Sequence, residues 1–533
     1  MGSAEVGPLP EPQADCESDE DDGDDKPRIP GVKIELILPA LCIGIFLAAM
    51  DNTIVVSSYG AIGTDLKALN KTSWIATAYL LTTTSFQPLY GKLSDIFGRK
   101  PALLFGYVIF GLGCLACGLA RNVGELVGAR AFAGIGGGGM TTVVSILVSD
   151  IVPLRSRGAW QGVLNIVFAS GAAVGGPLGG LLADSIGWRW SFILQFPMTI
   201  IAIIVVSLYL HLPAPSEHHH HHRSPFKTRL KRVDFLGAVV LVLAVLTLLI
   251  GLDRAGNNGF RDQIAISSLI ISLLLFSTFM LVETSIASEP FAPPHVVKQH
   301  SILASVLANF FAFGANMTVF FFFPLYMQVV DSLSPGQAGI RLLPAIVGGV
   351  SGSLGGGLVM QKTGKYYWLT VCSYILMLGG GTLVMCSTGT VTNSFLGSEI
   401  GIVFSSFGNG IGVTSTLIAV IAAAGSEDQA VATAVSYLFR SLGTVSSLSV
   451  SSMLVQETLR NELIKSVKGE DAEEIVRKVR ESIEFIKTLP AERKAIVIAC
   501  YEKAVSKAFM FAVLLGVGAV VSSTFIKEKK LGR

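Results

Sequence analysis

The sequence is poor in charged residues. Asp, Glu, Lys and Arg make up 15% of its 533 residues, against roughly 25% in a typical soluble domain, and the mean hydropathy is +0.61. The deficit extends along the whole chain, so we expect most of the chain to lie in lipid. The net charge of +2 gives no sign of a nucleic-acid partner, because such partners select a strongly basic surface.

The sequence also lacks the motifs of ATP-driven proteins and of common enzymes. It has no GxxxxGK[ST] run, so ATP is not expected to drive this chain. A GxGxxG match begins at Gly134, but it lies inside an apolar run with no soluble strand before it, which excludes a dinucleotide site there. No catalytic constellation occurs in the loops. We therefore predict a protein that is not an enzyme and needs no cofactor.

The seven cysteines form no even framework of the kind that disulfides need. Cys114 and Cys117 form a CxxC motif, yet both lie inside the apolar run 103–119. A redox or metal role requires exposed thiolates. We interpret both residues as small packing residues and predict no metal site.

Long apolar runs are abundant. A helix that crosses a bilayer needs about 20 mostly apolar residues, and about fourteen such runs can be counted. They form a group of six, an inserted pair and a second group of six, which predicts an all-α integral membrane protein. The runs lie near residues 35–59, 73–92, 101–120, 124–149, 159–183, 191–212, 234–252, 264–284, 302–327, 337–360, 366–387, 395–423, 429–455 and 505–525.

Polar segments divide the chain and orient it. Short loops on the N-terminal side of the membrane carry more Lys and Arg than those on the other side, which predicts that both termini are cytosolic. The predicted parts are a disordered acidic cytosolic tail (1–33), a six-helix bundle (34–212), a cytosolic loop rich in histidine and basic residues (213–233), two inserted helices (234–290), a second six-helix bundle (291–525) and a short cytosolic tail (526–533).

Two polar segments have open interpretations. Within the second bundle, residues 456–504 carry apolar residues at helical spacing. They are either two amphipathic helices on the non-cytosolic side or a solvated spacer. The run from His218 to His222 is either a pH-sensing or weakly metal-binding tract or an incidental linker.

Residues 91–100 form a charged, glycine-bracketed loop between the second and third runs. The loop resembles the signature of the major facilitator superfamily, whose two pseudo-symmetric bundles rock against each other. The resemblance implies a conformational latch, in which the aspartate meets the positive end of a helix in the opposite bundle. For the basic residues, topogenesis alone remains an alternative. The latch residues are Gly91, Asp95, Gly98, Arg99 and Lys100, which Arg155 and Arg157 are candidates to join.

Three further segments extend the resemblance. Residues 130–136 look like the family's second motif, and residues 188–192 are similar to the fungal branch of fourteen-span drug:proton antiporters. The segment 171–180 looks like the antiporter motif, although its proline stands one place later than in the usual pattern. Residues 323–328 and 339–344 match more loosely. The antiporter-motif residues are Gly171, Gly175, Gly176, Pro177, Gly179 and Gly180.

A closer match occurs within that branch. Residues 50–56, 73–81 and 86–91 resemble fungal vacuolar basic amino acid transporters and, less closely, multidrug exporters. The resemblance implies a monomeric, proton-coupled antiporter in the vacuolar membrane that moves basic amino acids from the cytosol to the lumen. The alternatives are a drug or toxic-metabolite exporter at the plasma membrane and a non-transporting nutrient sensor. An exporter's apolar pocket would use the phenylalanines Phe310, Phe311, Phe313 and 320–323, which can equally face lipid.

Asp51 lies deep in the first run, roughly 25 Å from the cytosolic end of its helix, and Arg130 enters from the other side to roughly 10 Å. A charge at such depth costs several kcal/mol unless it is paired, protonated or exposed to a cavity. Because burial and a nearby arginine shift a carboxyl pKa in opposite directions, Asp51 is a candidate proton-coupling or cation site tuned by Arg130. A static ion pair between two helices is the alternative.

Other polar residues in the spans are candidates to contact substrate. Arg440 lies near mid-membrane, where it could bind a substrate carboxylate or a carbonyl near Asn409. A purely structural role is the alternative. Glu399, near the non-cytosolic end of its span, could attract cations or simply be solvated. Each of the remaining polar residues could line a cavity or bond a neighbouring helix. These are Asn165, Gln195, Asn309, Asn316 and Gln328.

Overall fold

The computed structural model describes residues 34–66, 73–210, 235–259, 261–286, 293–333, 338, 340–389, 392–466, 479 and 483–529. The acidic tail 1–33 and the run His218–His222 lie outside the described residues. Regular structure in the described part is helical, apart from an isolated bridge between Thr388 and Asn393. Helices suit these apolar segments because they satisfy every backbone hydrogen bond internally, as lipid requires.

The first bundle is built from seven helices, two of which together form its sixth crossing. α1 runs parallel to α5, and α4 packs against α2 and α3. Glycines on α4 allow this close approach, since a Cβ at Gly138 would lie 2.8 Å from the Thr83 carbonyl oxygen. The helices are α1 Ile34–Asp65, α2 Ser73–Phe97, α3 Arg99–Leu119, α4 Val123–Ile151, α5 Leu154–Ser185, α6 Arg189–Ile193 and α7 Gln195–Tyr209.

An inserted pair of helices follows, packed against the seam between the two bundles. The pair comprises α8 Phe235–Asn258 and α9 Gln263–Leu281, which continues as a π-helical turn over Val282–Ile286. Its apolar residues share one buried cluster with Leu89 of α2 and Leu438 of the second bundle. The short helix α10, Pro294–Val297, then leads into the second bundle.

The second bundle contains the longest helix of the described chain. That helix, α14, breaks at Gly425, whose φ of 72° and ψ of −177° are not helical. We call its parts the first limb (Phe395–Gly425) and the second limb (Asp428–Ser466). The helices are α11 His300–Val329, α12 Leu343–Thr363, α13 Tyr367–Ser387, α14 Phe395–Ser466, α15 Ile483–Thr488 and α16 Ala491–Thr524.

Twelve helical segments of the described residues are long and apolar enough to cross a membrane. The predicted all-helical membrane fold is confirmed, whereas fourteen spans are not. Two of the fourteen predicted runs do not form a helix that is long and apolar enough to cross a membrane, and they belong to α2 and α8. α2 is too polar because it carries Thr82, Ser85 and Gln87, which are buried in the protein. The apolar part of α8 is only Leu236–Leu252.

The ends of the last two long helices differ from the sequence-based boundaries. The second limb of α14 continues to Ser466, and α16 already begins at Ala491. Both ends of the segment 456–504 are therefore extensions of the neighbouring spans, with the short α15 between them. Residues 467–478 and 480–482, which include part of the predicted amphipathic pattern, lie outside the described residues.

The even alternation of long helices gives the molecule two ends. We call the end at which α1 begins the terminal face and the opposite end the distal face. The chain returns to the terminal face after α16, where the Lys527 backbone N–H donates to Ser301 Oγ at 3.0 Å, one residue into α11.

Candidate functional site

A cavity of about 210 Å³ lies between the two bundles. α5 of the first bundle forms one wall, and α11, α12 and the first limb of α14 form the other. The lining combines amides and aromatic rings, and no charged side chain of the described residues lines it. The polar and aromatic lining residues are Asn165, Phe168, Phe313, Asn316, Phe320, Ser353, Ser406 and Asn409.

On the terminal side of the cavity, the bundles are in direct backbone contact. Gly158 and Gly162 of α5 face Gly357 and Leu354 of α12, and a Cβ at Gly162 would lie 2.8 Å from Leu354 Cα. Beside this contact, Asn165 Nδ2 donates to Ser353 Oγ at 2.7 Å. No space remains for a solute to pass between α5 and α12 at this level.

Asp51 and Arg130 form a fully buried ion pair. Arg130 Nη1 lies 2.6 Å from Asp51 Oδ2, with side-chain exposures of 1% and 0%. Gln195 Nε2 of α7 donates to the other carboxylate oxygen, Asp51 Oδ1, at 3.1 Å. Arg130 Nε also donates to the Ile75 carbonyl at 3.3 Å, and the guanidinium stacks 4.3 Å from the Tyr79 ring centroid.

The ion pair lies inside the first bundle, away from the central cavity. Its three side chains come from α1, α4 and α7, and none of them lines the cavity. Gln195, one of the sequence candidates for a cavity wall, instead serves the Asp51 carboxylate. The sequence signal for that role is a glutamine at the first position of the apolar α7. Together with Gln195, the pair joins α1, α4 and α7 in this conformation.

The charged loop builds a network at the terminal face. Arg99 donates from Nη1 to Asp95 Oδ1 at 2.6 Å and from Nε to Asp150 Oδ2 at 2.8 Å. Gln429, at the start of the second limb of α14, donates to the other Asp150 oxygen at 3.0 Å. Arg157 then donates to Gln429 Oε1 at 2.9 Å. The network therefore crosses from one bundle to the other.

The crossing differs in detail from the latch that the resemblance implies. Asp95 is held by Arg99 within its own bundle, and the acid that meets the opposite bundle is Asp150. Its partner there is a glutamine side chain. The sequence hint for Asp150 is an acid at the end of a long apolar helix.

The remaining latch residues have separate local roles. Gly91 allows α2 to approach the second limb of α14, since a Cβ there would lie 2.6 Å from Ala434 Cβ. Gly98 has a φ of 97° and separates α2 from α3. Lys100 Nζ donates to the Ser207 carbonyl at 2.8 Å and stays within the first bundle.

The antiporter-motif glycines of α5 occupy two different faces. Gly171 and Gly175 press against the α1 backbone, where a Cβ on either would overlap the carbonyls of Phe46 and Met50. Gly179 continues this face, and its carbonyl accepts from Ser58 Oγ at 3.3 Å. On the other face, nothing lies within contact distance of a Cβ at Gly176. Pro177 is exposed and Gly180 half-buried on this side.

Arg440 is buried in the second bundle, and none of the acids that the structure describes pairs with it. It is 5% exposed, and Nη2 donates to the Val413 carbonyl at 2.9 Å. The rings of Phe313 and Tyr437 lie 5.3 Å and 5.1 Å from its guanidinium carbon. Its Nε has no acceptor among the described residues. The predicted neighbourhood of Asn409 is present, because Val413 lies one helical turn from that residue.

The side chain of Asn409 also has an unpaired polar atom. It lines the cavity, and its buried Oδ1 has no donor among the described residues. Glu399, by contrast, is paired, with Arg341 Nη1 at 2.6 Å from its Oε1. That pair lies near the distal face and is partly exposed, away from the cavity lining.

The other sequence candidates divide between cavity and packing. Asn165, Asn316, Phe313 and Phe320 line the cavity. Asn309 instead joins α11 to both limbs of α14, accepting from Thr416 Oγ1 at 2.8 Å and donating to Ser436 Oγ at 3.2 Å. Gln328 does not belong to the lining. Phe321 faces outward, whereas Phe322 and Phe323 are packed in the core.

Two helical bundles around a central cavity, closed at one face by contacts that cross between them, are the architecture of an alternating-access secondary transporter. Residues 41–447 match the family described as Major Facilitator Superfamily. The chain belongs to the major facilitator superfamily, and it is a membrane-embedded transporter of small molecules, not an enzyme.

Curated relatives cover most of the chain. A vacuolar membrane amino acid uptake transporter of Schizosaccharomyces pombe, fnx2, is 42% identical over 94% of this chain and 85% of its own length. The multidrug resistance protein fnx1 of the same yeast is 39% identical over 92% of each chain. Vacuolar basic amino acid transporter 1 of Saccharomyces cerevisiae is 32% identical over 80% of this chain and 79% of its own length. Both predicted substrate classes thus occur among its relatives.

Proposed function

We propose that the chain is a monomeric proton-coupled antiporter that carries basic amino acids from the cytosol into the vacuole. In this proposal the terminal face is cytosolic, and protons leave the acidic lumen as substrate enters it. The relatives named as vacuolar amino acid transporters support the substrate class and the membrane. The observation that carries the coupling is the buried Asp51–Arg130 pair with its third partner, Gln195.

The pair supplies a chemical basis for coupling. Asp51 is the only carboxylate that faces Arg130 among the described residues, so protonating it leaves the arginine charge without compensation. A buried charge in that state is unfavourable by several kcal/mol. The proton-loaded first bundle therefore favours a conformation that gives Arg130 other partners or water. Exposure of the pair to one face at a time then converts a pH gradient into directed motion.

The latch residues supply the second half of the cycle. The Asp150–Gln429–Arg157 crossing and the Gly158–Gly357 contact keep the terminal face closed, which corresponds to a lumen-facing state. Opening that face requires both contacts to break. Asn409, which lines the cavity, and Arg440, which packs against the cavity-lining Phe313 ring, are the proposed substrate contacts. Glu399 serves as a cation-attracting residue at the lumenal entrance.

Uptake into vesicles tests this function. Purified protein is reconstituted, an outward-directed proton gradient is imposed, and labelled arginine, lysine and histidine are offered. We expect accumulation that collapses with an uncoupler. A fluorescent fusion should mark the vacuolar membrane. A signal at the plasma membrane without amino acid uptake would instead support drug export, which the phenylalanine-lined cavity and the relative fnx1 favour.

A further inference from the structure

In the second bundle, two buried side-chain atoms on residues that line the cavity or contact its lining have no hydrogen-bond partner among the described residues, and their hydrogen-bonding character is opposite. Arg440 Nε is a charged donor for which the described part of the chain offers no acceptor, and Asn409 Oδ1 is an acceptor for which it offers no donor. Buried polar groups are normally paired, and each unpaired one costs about 1–3 kcal/mol, more when it is charged. A ligand that supplies an acceptor for Arg440 Nε and a donor for Asn409 Oδ1 explains why both atoms are unpaired here.

The two atoms are linked through one short stretch of helix. Val413 accepts from Arg440 Nη2 at 2.9 Å, and Asn409 stands four residues earlier, about 6 Å along the axis. Phe313 connects the arginine to the cavity, because its ring packs against the Arg440 guanidinium and also lines the cavity. Arg440 therefore lies behind a single aromatic ring of the cavity lining.

We infer that this wall binds the zwitterionic head group of an α-amino acid. The substrate ammonium donates to Asn409 Oδ1, and the substrate carboxylate accepts from Arg440 Nε. The two charged groups of an α-amino acid are about 3 Å apart, and two hydrogen bonds of about 2.8 Å each extend that reach. The head group with its two hydrogen bonds therefore spans up to about 8 Å, which exceeds the rise of one helical turn between Asn409 and Val413, the residue that Arg440 contacts.

This assignment places the substrate side chain against the opposite wall. Asn165 and Phe168 of α5 line that side, and no acid of the described residues does. A cationic side chain would be held there by amide oxygens and the faces of aromatic rings. The second bundle would thus recognise what all amino acids share, and the first bundle what distinguishes them. The inference deepens the proposed function and rests on its amino acid substrate.

Ligands that lack one half of the head group test the inference. The purified full-length protein is titrated with arginine, with agmatine, which lacks the carboxylate, and with Nα-acetylarginine, which lacks the ammonium. Thermal stabilisation and competition against labelled arginine are both measured. We expect arginine to bind at least tenfold more tightly than either analogue. Agmatine binding as tightly as arginine would overturn the inference.

Two variants assign each half to its residue. Arg440→Gln should weaken arginine at least tenfold and leave agmatine unchanged, and Arg440→Lys should restore part of the loss. Asn409→Leu should weaken arginine and agmatine but leave Nα-acetylarginine unchanged. Equal losses for all three ligands in both variants would contradict the assignment. Asp65→Asn, in the exposed Asp65–Arg189 pair at the distal face, is the control and should change none of these affinities.

The wild-type panel is decisive even if a variant does not fold. If no amino acid stabilises the protein, the inference fails. If arginine binds with the expected pattern but does not accumulate under a proton gradient, the inference stands and the proposed transport function fails.

Discussion

Arg130 in the first bundle and Arg440 in the second are both buried, and their surroundings differ. Arg130 in the first bundle has a carboxylate at 2.6 Å, and the carboxylate has its own amide donor, Gln195. Arg440 in the second bundle has one backbone carbonyl and two aromatic rings. The positive charge of Arg130 is neutralised by Asp51 of the same bundle. No acid of the described residues neutralises the charge of Arg440. This asymmetry supports the proposal that the first bundle carries the proton chemistry and the second binds the ligand.

The largest expected effect follows from breaking the balanced pair. Asp51→Ala leaves Arg130 buried without its acid, and removing one partner of a buried pair costs about 3–5 kcal/mol. We expect the melting temperature in detergent to fall and proton-driven arginine uptake to be lost.

The control for this variant is Asp65→Asn. Asp65 pairs with Arg189 at 2.7 Å, but both side chains are about half exposed. An exposed pair contributes roughly 0–1 kcal/mol, so uptake should persist. Similar losses of melting temperature and uptake in Asp51→Ala and Asp65→Asn would show that the buried pair contributes no more than an exposed one.

Arg440→Gln should behave in the opposite way and so sharpen the comparison. The change removes a buried charge that lacks an acid, so the melting temperature should stay the same or rise. Arginine affinity should nevertheless fall at least tenfold, measured by competition in the same preparation. A loss of stability as large as that of Asp51→Ala would place Arg440 in the structural framework.

A smaller effect is expected at the crossing between the bundles. Gln429→Leu removes the side chain that joins Asp150 to Arg157, and hydrogen bonds to charged groups contribute about 1.5–3 kcal/mol. The conformation with a closed terminal face should therefore become less stable relative to the open one. Thiol labelling of an Asn316→Cys variant from the terminal side should then become faster.

Lys100→Gln serves as the matched control for labelling. Lys100 belongs to the same loop, but its bond to the Ser207 carbonyl stays within the first bundle. Labelling should be unchanged in this variant. Faster labelling in both variants would point to a general effect of loop charge.

The smallest effects concern two acids at the distal face, one in each bundle. Arg189 and Trp188 hold the pKa of Asp65 below its usual range, whereas desolvation and nearby Glu502 raise the pKa of Asp331. Asp65 therefore adds stability above its unfolded-state pKa, which is lost as pH falls through its lowered folded-state pKa. Asp331 has the opposite sign, because its ionised form is disfavoured in the folded protein.

Melting temperatures between pH 3 and 7 check these signs. Asp65→Asn should lower stability by less than about 1 kcal/mol near neutral pH, with the difference vanishing in acid. Asp331→Asn should slightly stabilise near neutral pH and be neutral below the usual aspartate pKa of about 3.9. The same sign for both variants would contradict the assigned environments.

Sequence reasoning succeeded where apolar length decides the outcome. It predicted the all-helical membrane fold of the major facilitator superfamily. It missed features that depend on packing between distant segments, such as Gln195 binding Asp51 and Asp150 reaching Gln429. Polar residues buried between helices gave α2 a composition unlike that of a lipid-facing span. The unpaired Arg440 Nε and Asn409 Oδ1 could not be predicted from the sequence. Whether the described residues offer these atoms a hydrogen-bond partner depends on how distant helices pack together.

The most direct test of the account measures proton and arginine fluxes together. Vesicles carrying wild-type protein or Asp51→Asn are given labelled arginine and a pH-sensitive dye on the opposite side of the membrane. The account predicts that wild-type protein moves protons against arginine. Asp51→Asn should still exchange labelled for unlabelled arginine but move no protons. Proton movement at the wild-type ratio in Asp51→Asn would contradict the account.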